Sequence, residues 1–404
     1  MATSREDRPR GWKEGEIVDE KMMRATIAGV FEDIAEALET GSINKKVRVG
    51  LTILGSEHGV GELAAGAELA SKQNPDIEVV LIGQGAQSHL ELVEAADEKD
   101  AHAKMDELLL SGDLDAAVTM HYPFPIGVST VGMVVTPAKG KGMFLATTTG
   151  TSATERVTAM LRNTLYGIAT AKAYGRENPT VGILNVDGAR QVERELRKLI
   201  EGGYPLSFAE SARSDGGVVM RGNDLLMGVP DVMVTDSLTG NVMMKVFSAY
   251  SSGGNYETLG LGYGPGIGEN YDRIICIISR ASGAPIIAGA ILFAAQCARG
   301  KLLDKARAEF SAAKKAGWDE LIQSLAAVDA AKKGEATDIA PPPKKMVSAD
   351  IPGIEVMEIE DAVRGLWKEN IYAESGMGCT GPIIMVAPED KERAVELLRE
   401  NGYL

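Results

Sequence analysis

Apolar and polar positions alternate along this chain in two rhythms. Between residues 16 and 39, Met22, Met23, Ile27, Phe31, Ile34 and Leu38 recur at helical spacing. That stripe predicts an amphipathic helix able to cover a sheet or a partner subunit, after a polar stretch over residues 1–15. Residues 47–54 predict a strand that runs into the glycine-rich turn from Gly55 to Gly61, then a helix over 62–72. Residues 77–82 predict a second strand, a polar helical stretch runs to 110, and residues 116–120 predict a third strand. Strands alternating with helices imply a mostly parallel, doubly wound sheet. Ligands of such sheets bind outside the carboxyl ends of the strands, where Gly55, Ser56 and the segment 121–127 fall.

A second alternating set follows. Residues 143–147 predict a strand, 151–174 a long helix and 180–186 another strand, running into Asp187, Gly188, Ala189 and Arg190. Residues 232–236 repeat the theme, with 237–241 as the loop and 242–250 as the helix. The glycine-rich segment 253–268 predicts no regular element. Residues 274–278 read as a strand, 284–297 as an apolar strand or helix, and 302–332 as charged helix. Three consecutive prolines mark residues 333–345 as a linker. The last segment, 346–404, holds an alternation at 354–359, a helix at 362–368, and a glycine-rich loop feeding a short strand and a helix at 391–400. The expected organisation is an N-terminal helical segment (1–45), an α/β body (46–332), the linker and a small C-terminal α/β segment (346–404).

Composition narrows the function. The 404 residues are 45% hydrophobic and 25% charged, ordinary for a globular chain with two or three domains. A net charge of −15 argues against nucleic acid and against an anionic membrane surface. No apolar run reaches the length of a membrane span, and the charged N-terminus lacks an apolar signal region, so a cytoplasmic address is expected. Cys276, Cys297 and Cys379 are odd in number and fit no zinc spacing, so neither a disulfide framework nor a metal site is expected.

Candidate chemistry gathers in three places. Cys379 lies in the run Glu374-Ser-Gly-Met-Gly-Cys-Thr-Gly-Pro382, where Gly376, Gly378, Thr380 and Gly381 offer backbone N–H groups to a thiolate or an oxyanion. Cys276 and Cys297 sit in apolar runs and read as structural. Asp236, Thr239, Gly240 and Asn241, with Lys245 one turn on, make an anion site at a helix N-terminus, and Asn185, Asp187 and Gly188 form a similar polar turn. Either could be only a cap and a turn. Of His58, His89, His102 and His121, none pair at ligand spacing. There is no phosphate-binding P-loop, and the glycines of 262–268 have the wrong spacing for a dinucleotide loop.

The order Asn185-Val-Asp-Gly188, Gly222-Asn-Asp-Leu225, then Pro230 through Lys245 resembles the phosphate acyltransferase family of phospholipid synthesis. That resemblance implies a three-layer Rossmann-like phosphate acyltransferase-type fold and acyl transfer to inorganic phosphate. The cysteine loop, with Leu54-Gly-Ser-Glu-His-Gly59 and Gly66-Ala-Glu-Leu-Ala70, more closely resembles the alpha subunits of component C of glycine/sarcosine/betaine reductase complexes. This second resemblance implies a two-carbon unit accepted from a carboxymethylated selenocysteine on protein A, held as an acetyl thioester on Cys379, and released as acetyl phosphate. It also implies homo- and hetero-oligomers with a ketoacyl synthase-like beta subunit, with inorganic phosphate as substrate and no cofactor. A phosphate pocket is then expected from Gly55 and Ser56, the Asn185–Gly188 turn, and Asp236, Thr239, Gly240 and Asn241 with Lys245, with the C-terminal segment folding back to face it. Ser237 departs from the acyltransferase pattern, which commonly has glycine after the aspartate. Three alternatives stay open: direct acyl transfer from a carrier protein, a non-catalytic scaffold of a larger complex, and, more distantly, a nicotinamide-dependent dehydrogenase.

Overall fold

The computed structural model describes residues 46–214, 216–334, 339–355, 358–378 and 381–404. The expected N-terminal helix lies outside them, as do Cys379 and Thr380. Residues 47–404 form one compact unit.

Strands β1 (Val47–Thr52), β2 (Ile77–Gly83), β3 (Glu91–Glu94) and β4 (Ala116–Thr119) come first, with α1 (Val60–Gln73) and α2 (Glu98–Ser111) between them. Next come β5 (Val128–Val135), β6 (Gly142–Thr151), α3 (Arg156–Ala173), β7 (Thr180–Leu184) and α4 (Ala189–Glu201). After β8 (Ser207–Phe208), β9 (Val219–Met220) and α5 (Gly222–Met227) the chain enters β10 (Val232–Val234) and α6 (Ser237–Ala249). It closes the body with β11 (Gly264–Ile267), β12 (Ile275–Ile277), α7 (Ala284–Arg299), α8 (Leu302–Lys315) and α9 (Trp318–Gly334). Among the described residues these strands make one twelve-stranded sheet, ordered β3-β2-β1-β4-β12-β11-β5-β6-β10-β7-β8, with β9 beside β7.

The two-residue period of the strands sorts side chains onto the two faces. Val79 and Leu81 join one core with α1, α3, α4, α7 and α8, while Val80 and Ile82 join the other with α2, α5 and α6. The result is a three-layer α/β body with a mostly parallel sheet. No single helix among the described residues is long and apolar enough to cross a membrane.

The direction of the second half departs from expectation. β12 runs parallel to β4, but β11 is antiparallel to both β12 and β5, and β5 is antiparallel to β6. β6, β10 and β7 are mutually parallel. The two alternating sets therefore point in opposite directions, and their carboxyl ends lie on opposite edges of the sheet. β11 lies inside the glycine-rich segment that predicted no element. Its Gly264 has φ +81°, and a Cβ there would meet the Val131 carbonyl oxygen at 1.8 Å, so only glycine lets these strands close up.

Other boundaries shift for local reasons. Residues 237–241, expected as a loop, are the first turn of α6, because the Asp236 carboxylate caps the Thr239 N–H at 3.0 Å and accepts its hydroxyl at 2.7 Å. The expected helix over 302–332 breaks at Gly317, with φ +98°, and α9 continues through Gly334 into the expected linker. The apolar run from Ala284 is a helix buried on almost all sides.

The C-terminal segment has its own core. Strands β13 (Ala349–Pro352), β14 (Ala373–Gly378) and β15 (Gly381–Val386) pair antiparallel in the order β13-β15-β14. Helices α10 (Ile359–Lys368) and α11 (Lys391–Glu400) complete it, burying Leu366, Ile384, Val386 and Leu398. Of the alternation at 354–359, Ile354 and Ile359 are buried in this core and Ile359 begins α10, while β13 ends before it at Pro352, with Gly353 at φ +103°. Glu374, Ser375, Gly376 and Gly378, expected in a loop, belong to β14 and pair across to β15 as far as Gly378 with Gly381.

Polar contacts tie this segment to the body. The Arg190 N–H donates to Glu355 Oε1 at 2.8 Å, and Arg194 donates to the Gly402 carbonyl at 2.7 Å. Both anchors are on α4, at the carboxyl edge of the second strand set.

Candidate functional site

A well-formed cleft lies on a face of the sheet rather than beyond one edge. After β4 the chain crosses this face through residues 120–127, and Phe124 lies against Gly266 of β11. On the other side α6 packs Met244 and Phe247 onto the sheet. Between them is a cavity of about 430 Å³, with His121, Thr149, Asn241, Lys245, Tyr263 and Ser279 in its wall. Ser279 and His121 belong to the first carboxyl edge and Thr149 to the second, so the cleft joins the two edges.

Lys245 is the cation of this cavity. Its Nζ donates to Glu257 Oε1 at 2.5 Å and to the Ser279 hydroxyl at 3.0 Å. The Glu257 side chain is only 1% exposed, while that of Lys245 is 42% exposed. Glu257 also accepts from the Ser282 hydroxyl at 3.0 Å and the Tyr263 hydroxyl at 3.3 Å. Burial, then the Glu257 carboxylate, push the Tyr263 phenol well above its ordinary pKa, so it stays a donor. The lysine is thus fixed at its base by a buried anion and keeps an open side toward the cavity. Asn241 is oriented by donating to the Thr148 carbonyl at 2.9 Å.

The crossing segment is held in place. The Tyr122 hydroxyl donates to both Asp106 oxygens at 2.9 and 3.0 Å, and Arg273 reaches the same carboxylate at 3.0 Å. Burial, then this carboxylate, raise the Tyr122 phenol to about 12. Behind the wall, His102 Nε2 lies 3.1 Å from the Thr119 hydroxyl, and burial lowers its pKa, which favours the neutral ring.

The predicted residues fall in four places. Asn241 and Lys245 line the cavity; Asp236 and Thr239 form the cap of their helix. Gly240 serves packing, since a Cβ there would meet the Thr147 carbonyl oxygen at 1.7 Å. Gly55 and Ser56 stand behind the wall, where Arg280 donates to the Gly55 carbonyl at 3.3 Å and the Ser56 hydroxyl reaches the Arg280 carbonyl at 3.5 Å. Asn185, Asp187 and Gly188 do not line the cavity. They precede α4, whose N-terminus is already taken by the Glu355 carboxylate, with Asp187 3.3 Å from Arg156. The single expected pocket is therefore divided, because the second strand set is reversed. Gly376, Gly378 and Gly381 belong to the β14–β15 hairpin that leads to Cys379 and Thr380, themselves outside the described residues. Cys276 and Cys297 are fully buried, and burial raises both thiols far above the reactive range.

Glu257, Tyr263 and Ser279 escaped the sequence reading. Glu257 and Tyr263 lie in the glycine-rich segment; Ser279 had a signal, since it directly follows a predicted strand. Among the described residues no group of three His, Cys, Asp or Glu side chains is placed to hold a metal ion.

Comparison with known proteins gives this geometry a context. Residues 47–385 match the family described as "Fatty acid synthesis protein". Over 382 residues the chain is 58% identical to the glycine/sarcosine/betaine reductase complex component C subunit alpha of Peptoclostridium acidaminophilum, covering 95% of this chain and 99% of that one. It is 26% identical over 235 residues to the phosphate acyltransferase of Thermus thermophilus, covering 50% of this chain and 70% of that one. Among solved structures, the 4-hydroxythreonine-4-phosphate dehydrogenase of Klebsiella pneumoniae aligns with 63% of this chain and 100% of its own, at 12% identity and a TM-score of 0.37.

Proposed function

The chain belongs to the component C alpha family of glycine/sarcosine/betaine reductase complexes, within the fatty acid synthesis protein family, and from that premise we propose that it transfers an acetyl group to inorganic phosphate through a thioester on Cys379. The two-carbon unit arrives on the carboxymethyl selenoether of a protein A partner, and a ketoacyl synthase-like beta subunit assists loading. Loading breaks the Se–CH2 bond with two electrons from a second protein thiol, which leaves joined to the selenium as a selenide–sulfide, and joins the carboxyl carbon to the Cys379 sulfur with loss of water. Phosphate oxygen then attacks the thioester carbonyl. The carbon–oxygen bond forms, the carbon–sulfur bond breaks, and the products are acetyl phosphate and the Cys379 thiolate. The energy of the thioester is retained in the mixed anhydride, so no ATP is needed.

The observation that carries this reading is the placement of Lys245. An ammonium anchored by a buried carboxylate, with an open side in a 430 Å³ cavity, suits a phosphate oxygen that must be held and not merely attracted. Asn241 supplies a second polar group in the same wall. The docking of the C-terminal segment supports the reading too. It is anchored on α4, at the edge where Thr149, Gly150 and Thr151 open the cavity. β7 and β6 are separated there only by β10, roughly 10 Å across. The β14–β15 hairpin leading to Cys379 belongs to this anchored segment, which supports the reading. Backbone N–H groups around Gly378 and Gly381 are the proposed donors to the developing oxyanion.

The test is incubation with labelled acetyl phosphate, alone and with the beta subunit, followed by digestion and mass spectrometry. Acetyl label on Cys379, released by arsenate and lost in Cys379→Ser, is the expected result. An active Cys379→Ser protein would replace this reading with direct acyl transfer from a carrier. A chain that never carries or transfers an acyl group would be a scaffold.

A further inference from the structure

Arg162 projects from α3 into a second cavity of about 350 Å³, walled by Gly127, Gly268, Glu269, Asn270 and Tyr271. Its guanidinium is held against the Tyr166 hydroxyl, which donates to the Gly127 carbonyl at 2.5 Å. Its Nε is buried with no acceptor, and the Tyr271 hydroxyl is buried with no partner. Among the described residues no carboxylate pairs with Arg162, because the one in this wall, Glu269, is taken by Lys314. Leaving a guanidinium nitrogen and a phenol both desolvated and unanswered is costly unless something completes them.

The charge around them points the same way. The adjoining cavity, about 480 Å³, shares Glu269 and Asn270 and adds Arg307, Lys314 and Lys315 from α8. The two walls together hold Arg162, Arg307, Lys314 and Lys315 against the single carboxylate of Glu269, on a chain of net charge −15. Such a local reversal of sign concentrates anions at that spot. Lys314 is answered by Glu269 and Arg307 by Asp304, which leaves the Arg162 guanidinium, with the Tyr271 hydroxyl beside it and Lys315 beyond, as the part of this patch that matches a phosphoryl group.

We infer that Arg162 and Tyr271 form a phosphoryl-binding site separate from the Lys245 cavity. The two cavities share only Ile126 in their walls, and that side chain is 74% exposed on the crossing segment. A phosphate monoester held by Arg162 can therefore pass its organic arm over Ile126 into the Lys245 cavity, whereas free phosphate fills the Arg162 site alone. The site does not depend on Cys379 or on thioester chemistry.

Calorimetric titration of the full chain with inorganic phosphate and with n-butyl phosphate tests the inference. The background is Lys245→Gln with Glu257→Gln, which removes the charge of the first cavity without stranding a buried carboxylate. Binding that persists in this background, and weakens at least tenfold when Arg162→Gln is added, is the expected result. Binding lost in the background, or unchanged by Arg162→Gln, would overturn it. Should Arg162→Gln fail to fold, Tyr271→Phe serves, with a threefold or greater loss expected and unchanged affinity overturning the site. Butyl phosphate binding tighter than phosphate assigns the site to a monoester, and the reverse order assigns it to the free ion.

Discussion

Lys245 has two duties that a double-mutant cycle separates. Lys245→Ala leaves the Glu257 carboxylate, 1% exposed, facing only the hydroxyls of Ser282 and Tyr263. Removing one partner of a buried ion pair costs roughly 3–5 kcal/mol. The lysine side chain is itself 42% exposed, so solvent already screens part of the attraction, and two neutral donors remain. The expected loss is about 2–3 kcal/mol. Lys245→Gln combined with Glu257→Gln keeps side chains of similar reach and removes both charges, and should cost less than about 1.5 kcal/mol. Urea unfolding, read as a shift of midpoint at constant slope, measures each corner of the cycle. Activity should divide differently. Loss of one charge-assisted hydrogen bond to phosphate, about 1.5–3 kcal/mol, lowers phosphate-dependent release of acetyl from Cys379 by roughly 10- to 150-fold in every protein lacking Lys245. Loading of Cys379 should fall much less. A double variant that regains both stability and phosphate-dependent release would refute a direct role for Lys245. A Lys245→Ala protein within 0.5 kcal/mol of the parent would refute the buried pair.

Other outcomes follow from particular contacts. Gly240→Ala places a Cβ 1.7 Å from the Thr147 carbonyl oxygen, so α6 must move off β6; a loss near 3 kcal/mol by urea unfolding is expected, and one below 1 would contradict the packing. Burial lifts the Glu355 carboxyl above its usual range, against the N–H bonds of Arg190 and Gly188 and helped by the nearby Glu358 and Asp187 carboxylates. A carboxyl raised in the docked state favours docking as pH falls from neutrality through the raised value toward the ordinary ~4.3, and loses that contribution as pH rises. Calorimetry should therefore show the C-terminal segment held more firmly near pH 5 than at pH 7, and Glu355→Gln should flatten that slope; an unchanged slope assigns it to another group. Cys276 and Cys297 should resist a thiol reagent until the chain unfolds, so the fast phase in the native protein should vanish in Cys379→Ser.

The sequence revealed what depends on near neighbours and concealed what depends on strand direction. The alternation over 47–120 and the cap at Asp236 are local, and each appears in the structure close to where the residues put it, except that β3 (Glu91–Glu94) occupies the start of the stretch expected as polar helix. The reversal of the second strand set lies in the β5–β6 hairpin: β11 is antiparallel to both β12 and β5, so β5 keeps the direction of β12 and β6 turns back, and no periodicity of apolar residues reports that turn. Likewise the Asn185–Gly188 turn reads as an anion-binding helix start, and α4 does receive an anion there. That anion is Glu355, 165 residues from Arg190, a separation no spacing rule can reach. The reversal also explains why the cavity lies across a face. With all carboxyl ends on one edge, Asp236 and Ser279 would have been neighbours and a lysine at the helix start would have sufficed. With the ends opposed, the helix must cross the sheet. At 1.5 Å per residue, the eight steps from Ser237 to Lys245 span about 12 Å, comparable to the length of a central strand of three or four residues. That rise carries the ammonium from the edge where α6 is capped to the edge where Ser279 meets it at 3.0 Å.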